Sequence, residues 1–252
     1  MIRENIYGDR TNVYTYDAGG NILTKKRYPY TSPNSAPTGA GSTVGSYTYS
    51  TGDWGDILVS YNNCPIQYDE IGNPTEYYTF DSYTWTEGRR LGEISMGGWS
   101  ETFTYDSNGI RTSKTVNGVT RKYYLDGSKI ICEESSDGTV LHFFYDESGN
   151  LFALEKDGAK YYYVRNILGE IIGLIDSNGS YVAKYSYDAW GNPIDITNGS
   201  DISVYGNSSH IANVNPFRYK GYYYDSEVGL YYLQSRYYDP YTGRFLNADG
   251  MV

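Results

Sequence analysis

Side chains with ready reactivity are sparse in this chain. Two cysteines, Cys64 and Cys132, and two histidines, His142 and His210, are too few for a disulfide framework, and they leave too few soft ligands for a zinc site. Buried or idle thiols are expected. No nucleophile elbow, HExxH pair or P-loop is present, so nothing in the sequence would assemble its many Ser and Asp into a catalytic group. No catalytic residue, cofactor or metal is expected. What the chain has in quantity is aromatic surface: 32 Tyr, with 4 Trp at Trp54, Trp85, Trp99 and Trp190. Such rings can stack on sugars or cage a quaternary ammonium, the chemistry of a module that binds wall glycan or choline. The four Trp share no common place in any repeat, which weighs against that use.

The residues that do recur are Tyr-Asp pairs. They stand at Tyr16-Asp17, Tyr68-Asp69, Tyr105-Asp106, Tyr145-Asp146, Tyr187-Asp188, Tyr224-Asp225 and Tyr238-Asp239, with a glycine three or four places after the Asp, as at Gly109, Gly149, Gly191 and Gly243. An Asp so placed accepts hydrogen bonds from backbone N–H groups two residues on, and the glycine takes a positive φ, which together make a turn. Decayed copies begin at Trp85, Tyr124 and Tyr163, giving a period of about twenty residues. Midway between them lie Asn117-Gly118, Asp137-Gly138, Asp157-Gly158 and Asn178-Gly179, dipeptides suited to type I′ hairpins. Turns therefore alternate about every ten residues. The segments between them, such as RKYYL, VLHFFY and KYYYV, are rich in β-formers. An all-β fold follows: a twisted antiparallel meander with strands of about six residues and little helix. Few windows show the 3.6-residue spacing a helical reading requires.

Composition agrees. Leu, Ile, Val and Phe total 49 residues against a net charge of -10, near the range of disordered chains. Tyr and Trp rings of ~150–250 Å² each supply the missing apolar area. The 30 acidic and 20 basic residues repel phosphate backbones, so nucleic acid is not an expected partner. No apolar run approaches a membrane span, and MIRENIYGDR has no apolar core of a signal peptide. Residues 28–50, dense in Pro, Ser, Thr and Gly, read as a loop-like insertion, and 197–215 as an irregular excursion holding a short helix or a long loop. Repeats continue on both sides of each, so residues 1–252 read as a single domain.

The YDxxGN units, followed over 215–249 by NPFRYKGYYYDSEVGLYYLQSRYYDPYTGRFLNAD, resemble Rhs or YD-repeat proteins. The last stretch is similar to the Rhs repeat-associated core motif. The resemblance implies a β-strip that spirals into a hollow shell. In that family, which includes bacterial polymorphic toxins, insecticidal toxin-complex subunits and teneurins, the shell commonly encloses a C-terminal cargo. The partners implied are other segments of a larger shell or further copies of the chain, and a polypeptide cargo. The location implied is secreted or envelope-associated in a bacterium. A strip whose two faces both meet something other than water calls for side chains that are apolar along the ring and polar at the tip, which Tyr supplies.

In the toxin branch the core motif also ends in self-cleavage by an aspartate pair, and by position those residues are Asp225 and Asp249. Two carboxylates held close can share a proton and divide the roles of acid and base. Here Gly250 stands where the family has proline, no arginine upstream of Asn215 matches the helper of that branch, and the chain ends at Val252 before a scissile bond. Self-cleavage is not expected, and Asp225 is expected to cap a turn like the other YD aspartates. The reading is a structural shell segment that encapsulates or scaffolds a polypeptide. A glycan or cell-surface adhesion module and a remnant aspartate autoprotease are the alternatives.

Overall fold

A computed structural model describes residues 2–52, 55–80 and 82–248. It divides into two compact units, Met1–Tyr83 and Thr84–Val252, where the sequence reading expects one domain. In the first unit β1 (Arg3–Ile6), β2 (Arg10–Tyr16), β3 (Ile22–Pro29), β4 (Ser42–Tyr49), β5 (Leu58–Tyr61) and β6 (Cys64–Pro65) form a six-stranded sheet in chain order, and β7 (Gln67–Tyr68) pairs with β8 (Pro74–Glu76). Its core is largely phenolic, with Tyr14, Tyr47, Tyr61 and Tyr77 buried beside Leu58 and Ile66. The expected insertion at 28–50 is corrected here. Its second half, β4, is a regular strand paired with β3 and β5, because STVGSYTY alternates buried Gly45 and Tyr47 with more exposed residues.

The second unit is built on a twelve-stranded sheet, again in chain order: β9 (Ser82–Thr86), β10 (Arg90–Met96), β11 (Trp99–Tyr105), β12 (Arg111–Val116), β13 (Val119–Asp126), β14 (Lys129–Ser135), β15 (Val140–Tyr145), β16 (Leu151–Lys156), β17 (Ala159–Arg165), β18 (Ile171–Ile175), β19 (Tyr181–Tyr187) and β20 (Pro193–Asn198). A one-turn helix, α1 (Ile211–Val214), follows. Its start is capped by His210, whose Nδ1 accepts from the Ala212 N–H at 3.1 Å. The chain closes with a four-stranded sheet of β21 (Tyr223–Asp225), β22 (Leu230–Tyr232), β23 (Tyr237–Asp239) and β24 (Arg244–Phe245). The excursion at 197–215 therefore holds a short helix. The sheet's own core is aliphatic, with Leu91, Ile94, Leu141, Leu154, Ile171 and Leu174 almost fully buried; tyrosine concentrates where the closing segment docks. The aliphatic residues, though few, are placed at the inward positions of successive strands.

The turns follow one design. At Asp106, Oδ1 accepts from the N–H groups of Asn108 and Ile110 at 2.9 and 2.8 Å, while the Asp106 N–H donates to the Ile110 carbonyl and the Gly109 N–H to the Asp106 carbonyl. A glycine at positive φ completes it, Gly109 at 82°. The same pattern recurs at Asp146, where Oδ1 accepts from the Asn150 N–H at 2.7 Å, and at Asp188, where it accepts from Trp190 and Asn192 at 3.0 Å. Asp17 and Asp69 repeat it with Asn21 and Asn73. Hydrogen bonds from the residue four places on hold the Asp17, Asp146 and Asp176 carboxyls below the usual carboxylate range.

Two of the four proposed type I′ pairs belong elsewhere. Asn117-Gly118 (φ 46° and 87°) and Asp157-Gly158 (52° and 77°) have the paired positive φ that type I′ requires. At Asp137-Gly138 and Asn178-Gly179 only the glycine is left-handed. Asn178-Gly179 is the end of another Asp-anchored turn, in which Asp176 Oδ1 accepts from Asn178 and Ser180, both at 2.9 Å.

Candidate functional site

The YD tyrosines tie neighbouring strands together at one end of the sheets. Hydroxyls donate to strand-end carbonyls from Tyr68 to Leu58 (2.8 Å), Tyr105 to Leu91 (2.8 Å), Tyr145 to Ile130 (3.0 Å) and Tyr187 to Ile171 (2.8 Å). Burial raises the phenols of Tyr16, Tyr105, Tyr145 and Tyr187, with Tyr145 pushed up to about 12, so these hydroxyls remain donors at any ordinary pH. Tyr238 donates to the Trp190 carbonyl and Tyr231 to the Gly191 carbonyl, both at 2.8 Å. The ring of Tyr224 packs on Tyr231 with centroids 4.8 Å apart. The last repeats are thus fastened to the Asp188 turn. Asp239 caps its own turn, accepting from the Tyr241 N–H and the Thr242 hydroxyl, both at 2.8 Å, and Gly243 follows it at φ 73° under the Trp190 ring.

After β20 the chain runs back over the sheet it has just made. Tyr185 of β19 donates to the Ala212 carbonyl (3.0 Å), Tyr163 of β17 bonds Asn215 (2.8 Å), Phe143 of β15 packs on Phe217 (4.9 Å), Tyr123 of β13 packs on Tyr223 (5.5 Å), and Phe103 of β11 packs on Tyr237 (5.5 Å). Each step along the tail meets an earlier strand.

At the centre of this contact lies a buried ionic cluster. Arg111 and Asp225 are both fully buried, and the guanidinium grips the carboxylate through both nitrogens, NH1 to Oδ2 at 2.6 Å and NH2 to Oδ1 at 3.1 Å. Lys114 Nζ lies 2.8 Å from Asp225 Oδ1, 2.9 Å from Glu227 and 3.5 Å from Glu101. Arg121 reaches Glu227 at 2.5 Å and Glu133 at 3.6 Å, and Tyr223 donates to Glu133 at 2.7 Å. Rings of Phe103, Tyr123, Tyr223, Tyr232 and Tyr237 surround the Arg111 guanidinium, the closest centroid, that of Tyr232, at 4.3 Å.

The expectation that Asp225 caps a turn is therefore overturned: its carboxylate serves residues more than a hundred positions away, since Arg111 and Lys114 offer charge-assisted bonds that a local N–H cannot match. Asp249 lies outside the described residues. The carboxylates that do come near Asp225 are Glu101 and Glu227, the oxygens of the three lying within 4.8 Å of one another. Such a group could hold a cation, and Lys114 provides one, with its ammonium against all three. Burial raises the Glu101 carboxyl to about 8, with Lys114 opposing and Asp225 adding to the rise; neither of its oxygens has a hydrogen-bond partner. Burial acts the same way on Glu227, but Lys114 and Arg121 outweigh it and hold that carboxyl well below its ordinary range. Burial raises the Glu133 carboxyl as well, opposed by the Tyr223 hydrogen bond and by Arg121. Sequence reasoning missed Glu101, Arg111, Lys114, Arg121, Glu133 and Glu227. The available signal was phase: Glu101 stands two residues before Phe103, on the same inward face of β11.

A family model described as Teneurin YD-shell matches residues 132–252. The tRNA3(Ser)-specific nuclease WapA of Bacillus spizizenii and the tRNA nuclease WapA of Bacillus subtilis are each 35% identical over 242 residues, 94% of this chain and 9% of theirs. The chain is an Rhs/YD-repeat protein. The fold of this YD-repeat chain is also that of a solved complex, TcdB2-TccC3-Cdc42, at a TM-score of 0.73 and 20% identity over 96% of this chain and 12% of that one, and of a Photorhabdus luminescens Tc holotoxin pore at a TM-score of 0.67 and 18% identity over 96% of this chain and 12% of that one. It spans about a tenth of the length of these relatives. Among the described residues no helix is long and apolar enough to cross a membrane.

Proposed function

We propose that this chain is a wall segment of a secreted Rhs-type shell, with a non-catalytic role in enclosing or scaffolding a polypeptide. The observation that carries the reading is the return of the tail over the sheet, fixed by the Arg111–Asp225 pair. A carboxylate held by both a bidentate guanidinium and an ammonium has its lone pairs engaged, which supports a fastening role for Asp225 over that of a general base. The names of the relatives, nucleases and a holotoxin, support a toxin setting in which the wall and the active part are separate pieces of a longer protein.

The test is protection. A marker polypeptide joined after Val252 should be cut by added protease several-fold more slowly than the same polypeptide joined to an unrelated β-sandwich domain. Equal rates would overturn the enclosing role. In parallel, the intact mass of the purified chain should stay constant on incubation. A shortened product that disappears in Asp225→Asn would establish the autoprotease instead.

A further inference from the structure

A cavity of about 480 Å³ opens between the sheet turns near Ser128 and Gly149 and the tail near Gly221 and Gln234. Its lining carries Lys129, Arg165 and Lys220, with Arg111 beside them, and among the described residues that line it there is neither Asp nor Glu. In a chain with 30 acidic and 20 basic residues, that local excess of one sign runs against composition. Arg111 is neutralised by Asp225. Among the described residues no ion pair joins the other three cations to a carboxylate.

Lys129 and Arg165 are held in place, while Lys220 is exposed, with its ammonium 5.4 Å from the centroid of the Tyr219 ring. The Lys129 ammonium sits 5.2 Å from the centroid of the Tyr145 ring and so close over Gly149 that a Cβ there would lie 2.7 Å from it. Arg165 donates through NH2 to the Leu151 carbonyl at 2.9 Å, while its Nε is buried without a partner. Lys220 holds a left-handed backbone, φ 53°, which a non-glycine residue adopts at some cost and which recurs at binding sites. The carboxylate whose field reaches Arg165 is Asp146, and its oxygens accept from the backbone and side chain of Asn150 in its own turn. Lys129 and Arg165, both half-buried, and the exposed Lys220 on the same lining give the cavity a positive potential, and a buried guanidinium N–H left unpaired is costly until an acceptor arrives. Tyr145 and Tyr222 add aromatic wall beside the charge.

We propose that this cavity binds a small organic oxyanion, a phosphate monoester or a carboxylate carried on an aromatic or apolar body. The oxyanion sits among Lys129, Arg165 and Lys220, and the body lies against Tyr145 and Tyr222. The volume falls within the range of small-molecule sites. The proposal is independent of the shell reading, because it needs only the second unit as it stands.

Isothermal titration of the whole chain with phenyl phosphate at low ionic strength tests it, with benzoate as the carboxylate arm and phenol as the neutral control. Saturable binding of phenyl phosphate or benzoate is expected, with none for phenol. Lys129→Gln with Lys220→Gln should weaken it at least about tenfold without moving the melting temperature. Arg165→Lys, which keeps the charge and removes Nε, should give an intermediate loss. Absence of saturable binding to the wild-type chain, or equal affinity in the double glutamine variant, would overturn the site. Inorganic phosphate binding as tightly as phenyl phosphate would overturn the part given to the aromatic wall.

Discussion

At the scale of single residues, the Arg111–Asp225 pair sets the behaviour of the interior. Replacing a buried pair by well-packed apolar groups is often neutral, whereas removing one member strands a charge. Asp225→Ala is therefore expected to cost ~3–5 kcal/mol, read from the urea midpoint. Joint replacement, Arg111→Met with Asp225→Leu, should recover much of that loss; a double variant no more stable than Asp225→Ala would show that the charges themselves are needed. Glu101 gives a pH signature. Burial pushes its folded carboxyl up to about 8, above an unfolded value of ~4.3, so the folded state keeps a proton that the unfolded state releases. Stability from this group is therefore full below about pH 4 and declines as pH rises to about 8. Glu101→Gln should match the wild-type chain near pH 4.5 and exceed it by ~1 kcal/mol or more at pH 8.5; parallel stability curves would remove the assignment. The aspartate at 225 shows where the sequence stops speaking. Tyr224-Asp225 and Tyr238-Asp239 look alike, each with its glycine four places on. Asp239 caps its turn and Asp225 does not, because only the latter meets Arg111 and Lys114, a contact set by tertiary packing.

At the scale of elements, the turn is the unit that repeats. Its position was legible almost throughout, because Asp or Asn with a following glycine has a local mechanism. The chemistry proved broader than the YD dipeptide: Asn166 accepts from Leu168 and Glu170, and Asn198 from Ser200 and Ile202, in the same manner without a preceding tyrosine in the pair. What the local pattern could not show is which turns are also docking points. Gly179 and Gly191 share φ values of 79° and 86°, but a Cβ on Gly179 meets nothing, whereas one on Gly191 would stand 2.4 Å from the Tyr219 ring. Gly179→Ala should cost ~1 kcal/mol through φ alone. Gly191→Ala should cost at least ~1 kcal/mol more, since the ring must move as well; equal losses in thermal melts would mean the tail does not press on that turn.

For the molecule as a whole, the meander was readable from period and β-forming residues, and the return of the tail was not, because it joins positions far apart in the chain, 27 for Tyr185 and Ala212 and 114 for Arg111 and Asp225. A chain cut after Ser208 would uncover the aromatic lining of β11 to β19 and leave Arg111, Lys114 and Arg121 without Asp225 and Glu227. It is expected to bind a hydrophobic dye strongly and to self-associate on size-exclusion chromatography through its open sheet edges. A monomeric, dye-silent truncation would show that the sheet stands without its tail.

The separation of 114 positions between Arg111 and Asp225 also fixes an order of events. A ribosome adding ~5–20 residues per second leaves the basic strand waiting on the order of ten seconds for its acidic counterpart. During that interval the nascent ribbon is unlatched, and the aromatic lining of β11 to β19 stays uncovered until the final stretch emerges and closes over it.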